Sequence, residues 1–301
     1  MNILTIGNSF TDSLNIYFPK VVESCPGCTL HFERANHGGC ELHRHWSYIC
    51  NEEADGVYRM YQDYRYKMRE LLAKERWDAV TIQQASHFSW RPETYQPFAG
   101  HLVNYVRKHA PQAEILIQQT WAYRADDPRL LPDGVWDYSG FDQARAAGIC
   151  LPAAPVKADQ RAMHEALTAA YRKLSRDLTL RIIPTGDAVQ LARENEPAPF
   201  KNYAPELLAT LKWPDLPPQA GDVVGSMWWQ KNAQTGELEI GRDTIHLNRR
   251  GEYLQACVWF AFLYGRRTGE IRFVPDELSD ADARFLRDLA QRAVDGFKPE
   301  F

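Results

Sequence analysis

Three residues far apart in the 301-residue chain are of the types that together activate an oxygen nucleophile: Ser9 near the start, Asp243 and His246 near the end. A hydroxyl attacks a carbonyl once a base takes its proton. A carboxylate beside that base fixes the imidazole tautomer and stabilises its charged form. In Asp243-Thr244-Ile245-His246 the acid and the imidazole are three apart, and on a turn the carboxylate can reach the ring or its supporting backbone. Each residue also has a plain alternative. Ser9, Thr11 or Asp12 could cap a helix, as such residues commonly do, and Asp243 could cap the helix that follows while His246 packs in a loop.

The elements around these residues decide whether they can meet. Residues 3–6 form a short apolar, β-branched run that reads as a buried strand. Gly7-Asn8 ends it, and a helix follows with Leu14, Phe18, Val21 and Val22 on one face. Ser9 is thereby expected at a strand-to-helix turn, where backbone N–H groups are free and the positive end of a helix points at a ligand.

A second strand is expected over residues 29–35, running into Asn36-His37-Gly38-Gly39. Paired glycines there allow close backbone approach. The N–H of Gly39, or in its place Gly38, is expected to face Ser9; a plain turn is the alternative. The strand 77–82 delivers Gln83-Gln84-Ala85-Ser86-His87 at its carboxyl end, where ligands bind in open parallel sheets. One of the two amides is expected to donate to an oxyanion, Gln84 ahead of Gln83; the alternative is an amide that satisfies loop backbone. Strands at 114–120, leading into Trp121 and Tyr123, and at 180–184 complete a set of five that alternate with helices, the pattern of a parallel sheet between helical layers.

Taken together, Gly7-Asn8-Ser9-Phe10, Gly38-Gly39, Gln83-Gln84 and Asp243…His246 resemble the four ordered blocks of the SGNH (GDSL-type) hydrolase superfamily. The first block departs from Gly-Asp-Ser-Leu and looks like a less characterised branch that opens Ile-Gly-Asn-Ser-Phe. The third carries Gln where the superfamily usually has Asn. The resemblance covers nearly the whole chain. It implies a three-layer α/β/α sandwich with a five-stranded parallel, flavodoxin-like sheet. It implies Ser9 as nucleophile, His246 as base and Asp243 as its partner, with an oxyanion hole from the N–H groups of Ser9 and Gly39 and the Gln84 amide. It also implies ester hydrolysis that needs no metal and no cofactor.

The remaining sequence narrows the substrate. Net charge is −4, which gives no basic footprint for nucleic acid, and no run approaches the length of a membrane helix. The first strand begins close to Met1, so the chain as written is expected to be cytoplasmic, with secretion open if a leader has been removed. Cys25-Pro-Gly-Cys28 closes a helix in a Pro-Gly turn without a second pair at zinc spacing, and reads as structural. His37, His43 and His45 lack carboxylate company and read as surface or substrate-lining rather than metal-binding.

Residues 46–66 are expected to be a covering loop leading into a helix at 62–74. Long stretches at about 125–157 and 196–242, rich in Trp, Tyr, Asp and Pro, are expected as covering insertions on one domain spanning 1–301. Flat aromatic faces beside carboxylates suit sugar rings, a partner protein or a small core of their own. The reading that follows is an esterase removing a short acyl group, most simply acetyl, from a carbohydrate or small-molecule ester, with His37, His87, Trp121 and Tyr123 lining the substrate. Acyl transfer at the same site, and non-catalytic carbohydrate binding on this scaffold, are the alternatives.

Overall fold

The computed structural model describes residues 1–203 and 205–297; Ala204, within the second expected insertion, and residues 298–301 lie outside the described residues. Five strands form one parallel sheet: β1 (Asn2–Gly7), β2 (His31–Asn36), β3 (Ala79–Ile82), β4 (Glu114–Gln118) and β5 (Ile182–Ile183), in the order β2-β1-β3-β4-β5. The central strands are apolar on both faces because helices cover both. Ile3, Leu4, Ile6, Val80, Ile82, Leu116 and Ile117 are all buried. In this strand order the direction of winding reverses between β1 and β3, and the cleft beyond their carboxyl ends is where such sheets hold ligands.

The helices group by their mutual packing. Helices Leu14–Glu23, Thr185–Asn195, Arg249–Tyr264 and Asp280–Gly296 pack on one another, while Leu42–Ala54, Met68–Lys74 and Phe98–His109 form a second set. The apolar faces read from spacing are the buried ones: Leu14, Phe18, Val21 and Val22, and in helix Gln160–Leu178 Met163, Leu167, Ala170 and Leu174. Truncating a fully buried ring such as Phe18 to Ala would cost about 3–5 kcal/mol.

Several boundaries differ from those expected. Residues 46–54 belong to the helix Leu42–Ala54, whose inner face (Leu42, His43, His45, Ile49) is buried; its aromatic and charged residues hid that periodicity. The stretch 62–66 is a tight turn, and the following helix starts at Met68. The expected covering segment before Asp243 contains an antiparallel hairpin, β6 (Val224–Lys231) with β7 (Leu238–Leu247). Asp243 and His246 therefore lie in the last residues of a strand, not on a turn. The two edges of the main sheet are short or covered: β5 has two residues, and over β2 the Gln62 side-chain amide donates to the Arg34 carbonyl (3.3 Å) and to Glu33 Oε2 (3.1 Å).

The aromatic residues of the first insertion are turned inward. Trp136 and Tyr138 pack with Trp90 and Tyr123, and Trp136 pairs with Val156 across an antiparallel bridge. Of the three uses open to these rings, the small core of their own is the one realised.

Candidate active site

Ser9 is placed by Asn8. Strand β1 ends at Gly7, where any side chain would collide with Thr11 Oγ1 (2.7 Å) and the Gln83 side chain (3.0 Å). Asn8 is extended, and its side-chain oxygen accepts from the N–H of Phe10 (3.2 Å), capping the short helix Ser9–Asp12. Its amide Nδ2 donates to the Cys40 carbonyl (3.1 Å). An aspartate at this position would have no proton for that bond, so the Asn of the first block ties the Ser9 turn to the Gly38-Gly39-Cys40 loop. Asn36 adds a second tie, donating to the Asn8 carbonyl (3.2 Å), Thr11 Oγ1 (2.8 Å) and Asp12 Oδ1 (2.9 Å). Behind the turn, the Gly7 carbonyl accepts from the N–H of His37 (3.1 Å) and from Nε2 of His45 (3.0 Å), whose Nδ1 faces the Tyr61 hydroxyl (3.0 Å). Burial drives the His45 pKa down to about 4, so it sits there as neutral imidazole.

The far end of the chain meets this turn. His246 Nε2 lies 2.9 Å from Ser9 Oγ, and His246 Nδ1 lies 2.7 Å from Asp243 Oδ2. Asp243 Oδ1 accepts the N–H groups of Ile245 (2.8 Å) and His246 (2.9 Å). Burial pushes the Asp243 carboxyl up, but the hydrogen bonds from the His246 ring and from these two N–H groups outweigh it and bring its pKa to about 2. The ionised Asp243 accepts a hydrogen bond from Nδ1–H, which leaves the Nε2 lone pair facing the serine hydroxyl.

What aims the β7 strand is the loop after β4. The Trp121 indole N–H donates to the Ile245 carbonyl (2.9 Å), the Arg124 N–H to the Thr244 carbonyl (2.8 Å), and Thr244 Oγ1 to Asp127 Oδ2 (2.6 Å). Arg124 is wholly buried in a two-pronged pair with Asp126 (2.6 and 3.0 Å). Gly225 of β6, at φ +84°, leaves the room this guanidinium needs: a Cβ there would stand 2.8 Å from Cζ. Trp121 also stacks on Phe10 at 4.3 Å, so one ring touches both halves of the site.

The structure redistributes the other expected site residues. Ser9 and Gly39, the latter at φ +59°, both lie on the turn-and-loop pair that Asn8 holds together, and among the described residues neither backbone N–H has a protein acceptor. Gln84 does not serve as the expected donor: Nε2 is occupied by the Thr94 carbonyl and Oγ1 (both 3.0 Å), and Oε1 accepts from Leu42 (3.1 Å) and Ala85 (2.9 Å). It satisfies loop backbone instead. Gln83, the alternative, reaches the Ser9 turn but donates to Asn8 Oδ1 (2.6 Å).

Trp121 and Tyr123 are buried supports rather than substrate platforms; Tyr123 bonds Ser86 (2.8 Å) beneath the Arg129 guanidinium. His87 is held by Glu41 (3.0 Å) and stacked on Phe141, and His37 stands beside Gly38 against Tyr48. Gly38 follows it, exposed, on the same loop. Sequence reading missed Asn8, His45, Arg124 and Asp127. The Asn for Asp exchange in the first block was the available signal for Asn8, and the Asp126-Asp127 pair for the β7 anchor. Among the described residues no group of His, Cys, Asp and Glu could hold a metal, Cys25 and Cys28 are free thiols, and no helix is long and apolar enough to cross a membrane.

Comparison with known proteins agrees with this architecture. Residues 2–132 match a family described as a domain of unknown function, DUF4886. A crystal structure of a DUF4886 family protein from Bacteroides uniformis superposes with a TM-score of 0.68 at 24% identity, over 98% of this chain and 94% of that one. A protein proposed to be an SGNH hydrolase from Slackia heliotrinireducens gives 0.48 at 19% identity, over 86% and 96%. A member of the lipolytic G-D-S-L family from Veillonella parvula gives 0.41 at 12%, over 88% and 98%. No curated protein matches the chain. The fold of this chain is thus that of the DUF4886 family structure, an α/β sandwich built on a five-stranded parallel sheet.

Proposed function

We propose that the protein is a serine esterase that removes a short acyl group, acetyl in the simplest case, from a hydroxyl-rich ester. The observation that carries this reading is the continuous Asp243–His246–Ser9 hydrogen-bond chain, with distances of 2.7 and 2.9 Å. Ser9 Oγ attacks the ester carbonyl as His246 Nε2 takes its proton, and His246 then gives that proton to the leaving alcohol. Asp243, ionised throughout, holds the imidazolium. The N–H groups of Ser9 and Gly39 receive the oxyanion; losing one such donor typically slows turnover by roughly 10²–10³-fold. Gln83 acts through Asn8 by keeping that turn in place. Water, deprotonated by His246, then cleaves the acyl-enzyme. The half-exposed His246 side chain gives water a route to the ring, which favours hydrolysis over transfer to a sequestered acceptor.

The test is turnover of p-nitrophenyl acetate, butyrate and octanoate by the wild type, Ser9→Ala and His246→Ala. Turnover of acetate that falls about 10⁴-fold or more in both variants is expected. Preference for octanoate would replace the short-acyl reading with a lipid or thioester one. Turnover that survives Ser9→Ala, or none on any ester, would overturn the esterase reading in favour of a non-catalytic use of the fold.

A further inference from the structure

Beside the Ser9 turn lies an open groove of about 660 Å³, within the roughly 300–1,000 Å³ range of small-molecule sites. Its floor is the outer edge of β2, and it runs from Asp12, in the helix that Ser9 opens, to Gly38 on the glycine loop. Its far wall is a turn in an unusual state: Gln62, Asp63 and Tyr64 all have left-handed backbones (φ +49°, +59° and +61°). Single non-glycine residues of this kind are uncommon, and three in succession are costly. Such strain persists only where the surroundings fix it and tends to cluster at ligand clamps. The fixing contacts are present here. Tyr61 and Tyr66 exchange both backbone hydrogen bonds, and the buried Tyr61 hydroxyl meets His45, which holds the Gly7 carbonyl two residues before Ser9. The strained turn is thus tied to the reaction centre through two side chains, and it holds Tyr64 out at the lip, two-thirds exposed.

The chemistry of the lining favours one class of ligand. Three cations and three anions face the groove, each paired within it: Arg34 with Asp12 (2.5 Å), Lys74 with Glu33 (2.7 Å) and Arg65 with Asp63 (3.8 Å). No net charge is left to attract a phosphate or an ammonium group. What remains is a polar lining, extended by the amide of Asn15, the amide oxygen of Gln62 and an exposed phenol ring. A fatty chain would strand these groups without partners.

We propose that this groove seats the alcohol portion of the substrate, an uncharged one- or two-ring sugar, with Tyr64 covering one ring face and the paired charges and amides taking its hydroxyls. The proposal rests on the esterase reading for the word substrate, but binding can be measured without turnover. The probes are xylobiose, cellobiose and methyl N-acetylglucosaminide, titrated by calorimetry and by amide chemical shifts into Ser9→Ala and into Ser9→Ala carrying Tyr64→Ala and Asn15→Ala. Both added substitutions are at exposed positions, and an unchanged near-ultraviolet circular dichroism spectrum would show that the fold is intact.

The expected result is binding of at least one sugar, with shifts confined to residues 12–15, 33–38 and 60–65, weakened at least tenfold in the triple variant. Shifts centred elsewhere, undiminished affinity in the triple variant, or no binding of any probe would overturn the groove. Turnover of p-nitrophenyl acetate by the wild type, run in parallel, separates the two readings. Ser9-dependent turnover without sugar binding removes the groove and keeps the esterase; sugar binding without turnover does the reverse.

Discussion

The two halves of the site are built in opposite ways. Ser9 follows a central strand of the sheet and sits on a turn whose polar groups are bonded from several directions, by Asn36, Gln83, Cys40 and, behind Gly7, His45. His246 ends a two-stranded hairpin outside the sheet and is aimed by three contacts from one loop, those of Trp121, Arg124 and Asp127. Ser9 is thus part of the folding core, and His246 is docked onto it. Damage to the first half should therefore cost stability and activity together, whereas damage to the second should cost activity with little loss of stability.

The sharpest break is expected from Asp243→Asn. The geometry survives but the Nδ1 proton loses its charged acceptor, and kcat on p-nitrophenyl acetate should fall about 10⁴-fold while the thermal midpoint falls by only a few degrees. A midpoint drop of many degrees would refute the docked-hairpin picture. On the other half, Asn8→Ala removes the cap and the tie to Cys40 and leaves the Gln83 amide short of a partner. Denaturant unfolding should show a loss of about 2–3 kcal/mol, accompanied by lower kcat.

Acidification should single out the same half. His45 is held neutral with its pKa down at about 4 against an ordinary 6.5, so its contribution is complete above 6.5 and is lost as pH falls toward 4. About 2 kcal/mol of stability should disappear between pH 7 and pH 5, and His45→Gln should flatten that slope. The gentlest test is Thr244→Val, which cuts the bond to Asp127 but keeps the shape of the side chain. About tenfold in kcat is expected, KM and thermal midpoint holding within a few degrees. Equal losses of stability from Asn8→Ala and Thr244→Val would erase the distinction between the halves.

The same contrast separates what was legible in the sequence from what was not. The five strands and their buried faces follow from apolar runs such as residues 3–6 and 114–117 and from helices whose period is plain, as at Met163, Leu167, Ala170 and Leu174. Ser9, Asp243 and His246 come together as the motif order implied. Contacts that depend on which way a side chain turns after a strand ends were not readable. Gln83 and Gln84 are neighbours of one type, and only the packing of helix Leu42–Ala54 and Thr94 against the second decides that it is spent there. The aromatic insertion misled for a related reason: Trp136 and Tyr138 look the same in sequence whether they greet a sugar or one another. The β6–β7 hairpin was hidden by Gly225 and because neither strand alternates cleanly between buried and exposed residues.

The margins of the sheet have a consequence of their own. A parallel sheet leaves unpaired backbone along its two outer strands, and such margins invite addition of strands from another molecule. One margin here is only Ile182–Ile183, too brief to template a partner, and the other is occupied by the Gln62 side chain, which takes the Arg34 carbonyl for itself. The turn at 61–66 therefore also acts as a guard against fibre-like stacking. A strand adding along β2 would have to displace that amide before it could use the Arg34 carbonyl.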